Sequence, residues 1–167
     1  MFETLGGLPA HPLFVHIPVI LVPLATIGVL AMAVRRSLLR PFGVVVTVLA
    51  GVGFLGAVLA AQSGEALEDT FRSAGQTIPE ILHEHAEMGE SAQWLAGLFF
   101  LLTLGWVLFA RWRSRAGEER ATAVVRKPRL VTTVLMVLAL VSGAVATVSV
   151  TMTGHNGAKS VWEDTAP

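Results

Sequence analysis

Five histidines, His11, His16, His83, His85 and His155, are the residues of this 167-residue chain best suited to coordination chemistry. There is no cysteine, which removes thiolate metal ligands, disulfides and a covalently attached c-type haem. Imidazole binds haem iron, Zn and Cu. Two imidazoles facing each other across a helical bundle hold a b-type haem when small residues leave room for the macrocycle. Three imidazoles with a carboxylate suit Zn, Cu or Fe instead. His16, His85 and His155 form the sharper set, because each falls at the end of a different apolar segment, and Glu65, Glu84 and Glu87 are the carboxylates that could complete a metal site. His11 and His83 read as wet interfacial side chains. His83 and His85 are two residues apart, whereas a zinc-protease helix needs four to put both ligands on one face. No Gly-rich phosphate loop or nucleophile motif accompanies them.

The elements that must position these side chains follow from composition. The chain is 53% hydrophobic and only 14% charged, well beyond a soluble domain of this size. Four runs, 13–34, 42–61, 92–110 and 130–152, have the roughly 20 apolar residues that cross a hydrocarbon core of about 30 Å. The expected fold is all-α: one four-transmembrane-helix bundle over residues 1–167, with helices at about 13–34, 42–71, 79–112 and 130–153. Helix two keeps helical spacing through 63–71, with a turn at Arg72 to Gln76. Thr77 and Glu80 stand at capping-box spacing with Pro79 in the first turn, and nothing breaks 80–91, Gly89 included. Helices two and three are thus predicted to project from the bilayer together. Pro18 and Pro23 interrupt the hydrogen bonding of helix one; the simpler expectation is an ordinary proline-kinked membrane helix, and the functional alternative is an end shaped to aim His16 inward.

Small residues recur at helical spacing below two of the histidines. His85, Gly89, Ala92 and Ala96 share one face of helix three, and Ala139, Gly143, Thr147, Thr151 and His155 follow one another at intervals of four in helix four. Helix two carries Gly53, Ala57 and Ala61 at the same interval. Such rows let backbones approach closely in lipid, so they are predicted packing faces, and they are where a flat cofactor could lie.

Charge sets the expected orientation. Ten of the twelve Lys and Arg lie in two connections: Arg35, Arg36 and Arg40 between helices one and two, and Arg111, Arg113, Arg115, Arg120, Arg126, Lys127 and Arg129 between helices three and four. By the positive-inside rule these connections are cytoplasmic, and both termini and the 63–91 region are extracytoplasmic, in the cell inner membrane. Ten of the twelve acids fall on the outer side, Glu3, Glu163 and Asp164 among them, and all five histidines fall there too. The order of acid, apolar run and arginine around Ala31-Met32-Ala33 is the reverse of a signal peptide. The 111–129 connection is accounted for by orientation and attraction to anionic lipid. Trp94, Trp106, Trp112 and Trp162 fall mostly near the expected interfaces. An acidic outer face excludes nucleic acid as a partner.

His11-Pro-Leu-Phe-Val-His16-Ile-Pro18, Ser63-Gly-Glu-Ala66, His85 and the ending Gly154-His-Asn-Gly-Ala-Lys-Ser-Val-Trp162 resemble the bacterial membrane family called domain of unknown function 2231. The resemblance covers almost the whole chain. It implies a four-helix membrane domain, and relatives fused to cytochrome c or Rieske-type modules imply a redox setting. No catalytic residue carries over, and no catalytic activity of the chain alone is expected. The expected function is b-type haem binding in a membrane redox chain through His16, His85 and His155, with the lipid bilayer and redox or respiratory membrane proteins as partners and room for an oligomer. Transition-metal binding or transport and a structural accessory subunit are the other classes.

Overall fold

A computed structural model describes residues 4–162. Glu3, Glu163 and Asp164 lie outside the described residues, as does the Trp162 side chain. The order of elements is a two-residue ladder of β1 (Thr4–Leu5) and β2 (Leu8–Pro9), a single turn α1 (His11–Phe14), then α2 (His16–Val34), a 3₁₀ turn over Arg36–Leu38, α3 (Leu39–Ser73), α4 (Glu80–Ala116), a short α5 (Glu118–Val124) and α6 (Pro128–Trp162). Gly6 and Gly7, both at positive φ, make the two-residue turn of the hairpin, a conformation for which glycine carries no steric cost.

Four helices are long and apolar enough to cross a membrane. Chain neighbours α2–α3 and α3–α4 pack side by side, α4 packs on α6, and α6 returns to α2, so the four close into a ring with little contact across the α2–α4 diagonal. The interior is lined by small and branched residues such as Ala25, Val29, Ala50, Ala96 and Ala146, filled by Phe99 and Trp106. The outside is the apolar surface: Ile20, Ile27, Leu55, Leu101, Leu108 and Val141 are exposed, as side chains facing lipid should be. Trp106 is a core residue at 1% exposure, whereas Trp94 is 69% exposed.

Helix ends differ from the sequence expectation in three places, each with a local reason. Pro79 is the N-cap of α4, with extended backbone (φ −62°, ψ 147°) and no side-chain cap, and its carbonyl accepts from the Leu82 N–H at 3.0 Å. Thr77 cannot serve as the cap because Ile78 precedes proline, which disfavours helical backbone there; Glu80 keeps its favourable place in the first turn. Near the N-terminus the helix divides between α1 and α2, so Pro18 falls in the first turn of α2 and only Pro23 lies inside it. At the other end α6 runs on past residue 153 to Trp162.

Projection is common to three helices. At about 1.5 Å per residue, the 35, 37 and 35 residues of α3, α4 and α6 exceed a hydrocarbon core of about 30 Å. The α4 helix is unbroken through Gly89. Between α2 and α6, the Thr26 hydroxyl donates to the Gly143 carbonyl at 3.1 Å, and that of Thr147 donates to Thr26 Oγ1 at 3.0 Å. Gly143 is required there, since a Cβ would stand 2.7 Å from Phe99 and 2.9 Å from Thr26 Oγ1. Gly53 likewise brings α3 against Val22 of α2.

Candidate functional site

The heads of α1, α2 and α4 and the tails of α3 and α6 meet at one end of the bundle, and all five histidines are there. A cavity of about 380 Å³ opens between them. Small residues make part of its wall, Ala57, Ala61 and Gly64 on α3, Gly89 and Ala92 on α4, and Gly154 on α6, beside the larger Val15, Val19, Leu67, Leu82 and Val150. Glu65, Glu68, Glu87 and Glu90 also line it, with Glu68 held by Arg72 at 2.6 Å.

Two histidines line this cavity in contact with each other. The His11 and His85 rings stand edge to face, with centroids 5.8 Å apart and planes at 88°. His11 Nδ1 lies 2.9 Å from the Ala60 carbonyl. A carbonyl can only accept, so Nδ1 carries the proton and Nε2 presents its lone pair. The buried Ser63 hydroxyl supports the same carbonyl, donating to it at 3.0 Å, and lies 3.4 Å from His11 Nδ1. His85 is half-buried, interacts with the Thr153 backbone, and has a buried Nδ1 with no hydrogen-bond partner. Close backbone approach seats both rings. A Cβ on Gly64 would lie 3.2 Å from His11 Cε1, and one on Gly157 would lie 2.7 Å from His85 Cε1.

The other expected ligands are elsewhere. His16 is exposed, its Nδ1 turned back to the Pro12 carbonyl at 2.6 Å, and it does not line the cavity. His155 is exposed and also absent from the lining. His83 lies at the rim, exposed, 3.6 Å from Glu87 in a pair that is ionic only when the imidazole is protonated. Glu84 faces a separate open groove between α4 and α6. The structure thus brings His85 together with His11, and not with His16 or His155. Among the expected packing residues, Gly53, Ala57, Ala92 and Gly143 are buried, and Ala61, Gly89 and Thr147 are half-buried.

The number of donors bears on what this site could hold. Among the described residues, no three of His, Asp or Glu gather as a metal ion would need. A haem brings four equatorial nitrogens of its own and asks the protein for two. His85 Nδ1 is buried without a hydrogen-bond partner, on the edge of the ring that packs against Gly157 of α6.

His11 could have been found in the sequence from one signal. Gly56, Ala60 and Gly64 form a second small-residue row on α3, beside the Gly53 row; Gly56 meets Ile17 and Pro18, and Ala60 and Gly64 meet His11. Gly157, by contrast, reads as a helix stop, and only its place against His85 explains it.

No curated protein and no solved structure matches this chain. Residues 7–166, nearly the full length, match the family described as predicted membrane protein (DUF2231), the domain of unknown function 2231, and the chain is therefore a member of that family of membrane proteins.

Proposed function

We propose that this membrane protein binds one b-type haem in the end cavity, where His11 and His85 would hold it, and carries electrons within a membrane redox chain. The observation that carries the reading is the His11–His85 pair: two imidazoles, from α1 and α4, with centroids 5.8 Å apart in a cavity lined in part by glycine and alanine. When bound, the haem supplies one-electron chemistry. The protein's part is to fix the ligands. Ala60 and Ser63 hold the His11 tautomer, and fixing a ligand's second nitrogen in this way tunes and orients the first. Gly64 and Gly157 admit the rings, and Ala57, Gly89 and Ala92 leave space beside them. Glu65, Glu87 and Glu90 line the same cavity, so the two propionates of the haem would have to be directed away from them.

The same reading puts the histidine end on the extracytoplasmic side, because the opposite end carries ten of the twelve cations. The test is the absorption spectrum of full-length protein purified in detergent from cells supplied with haem, with metal analysis of the same sample. One haem per chain with a Soret band is expected. Protein that is folded by circular dichroism yet holds neither haem nor stoichiometric metal would overturn the reading and favour a structural accessory subunit.

A further inference from the structure

The end opposite the histidines is strongly cationic, and its cations come from connections that are far apart in sequence. Arg35, Arg36 and Arg40 surround the 3₁₀ turn and the start of α3, while Arg111, Arg113 and Arg115 occupy the last turns of α4 and Arg120, Arg126, Lys127 and Arg129 lie between there and α6. The two groups form one face: the Arg111 guanidinium donates to the Arg40 carbonyl at 2.6 Å, tying the α4 end to the α3 start. Arg111 is thereby occupied with the backbone.

Little on this face neutralises it. Glu118 and Glu119 are the acids of the two connections, and Glu118 is taken by Arg129 at 2.9 Å. Among the described residues, Arg35, Arg36, Arg40, Arg113, Arg115, Arg120, Arg126 and Lys127 form no ion pair, and all but Arg113, which is half-buried, are exposed. Self-repulsion of eight unpaired cations around one helix-bundle end opposes compaction unless counter-charge is supplied. The face lies directly beyond four membrane-length helices, at headgroup level, where the available counter-charge is the phosphate of lipid. Guanidinium suits phosphate by presenting paired N–H donors to its oxygens.

We infer that this joined arginine face is a docking surface for anionic phospholipid headgroups, and that such lipids are retained around it in preference to zwitterionic ones. Trp112, packed on Phe109 with centroids 5.3 Å apart, stands beside Arg111 and Arg113 and reports on that shell.

Full-length protein carrying Trp94→Phe and Trp162→Phe, which leaves Trp112 beside the buried Trp106, is reconstituted into mixed vesicles of phosphatidylglycerol and phosphatidylcholine. The bromine quencher is placed on one lipid or on the other. Stronger quenching is expected when phosphatidylglycerol carries the bromine. The difference should fall by up to roughly fivefold for each cation removed in the series Arg113→Gln, Arg115→Gln and Arg126→Gln. Inorganic phosphate at matched ionic strength should leave the preference in place, whereas its abolition by phosphate but not by chloride would assign the face to a free anion and overturn the lipid assignment. Equal quenching by either brominated lipid in the unsubstituted arginine background would also overturn it. Arg120→Gln, with circular dichroism unchanged, is a second variant should Arg113→Gln fail to fold.

Discussion

His11 donates from Nδ1 to the Ala60 carbonyl at 2.9 Å, a bond that joins the one-turn helix before α2 to the far part of α3 and turns the His11 ring toward His85. That bond makes His11 part of the cavity while His16, five residues on, is outside it. At about 100° per residue, five residues rotate a helical position by about 140°, so two histidines at this spacing cannot share a face. The bond therefore fixes both the direction and the tautomer of His11.

Glycine substitutions separate fold from site. Gly157→Ala places a methyl 2.7 Å from His85 Cε1 and should displace the ring, lowering ligand content together with thermal stability. Gly89→Ala meets no atom within 4 Å yet intrudes on the cavity, so the fold should keep its melting temperature while ligand content falls. Melting curves and absorption spectra of the two variants check this; equal ligand content in Gly89→Ala and wild type would place the ligand elsewhere.

The α2–α6 contact carries a second prediction. Gly143→Ala collides with Phe99 and Thr26 and should destabilise the bundle by about 1–3 kcal/mol. Thr147→Val removes one interhelical hydrogen bond and should cost only about 0.6 kcal/mol. Unfolding in mixed micelles measures both, and a Thr147→Val effect larger than that of Gly143→Ala would reverse the ranking of packing over hydroxyl bonding at this contact.

Orientation is tested by labelling. Ser73 and Ser114 are both exposed, at opposite ends of the bundle. In intact cells, an impermeant thiol reagent should label a cysteine introduced as Ser73→Cys and leave Ser114→Cys untouched. The opposite pattern would put the histidine cavity on the cytoplasmic side and the arginine face outside.

Much of the fold was legible because hydropathy and helix length report directly on membrane crossing. Four runs became four helices, and the absence of a breaker between residues 80 and 91 was enough to carry α4 through Gly89. The helix start at Glu80 was misplaced by its cap, since the capping-box spacing of Thr77 says nothing of the constraint Pro79 imposes on Ile78. The extension of α6 to Trp162 was hidden because Gly154 and Gly157 weaken helix propensity. The candidate site was half legible. The row beneath His85 pointed into the bundle, as Ala92 and Ala96 do. His11 was missed: the Gly56, Ala60 and Gly64 row marked a close approach to α3, but its partner, the Ala60 carbonyl forty-nine residues away, is a contact no local spacing records.

The most direct measurement is the haem content of four single variants purified alongside wild type: His11→Ala, His85→Ala, His16→Ala and His155→Ala. With His11 and His85 as the ligand pair, the first two lose the low-spin Soret band and the last two keep it at wild-type intensity. A wild-type band that survives His11→Ala but disappears in His16→Ala would contradict the assignment and return the site to the residues that the sequence alone singled out.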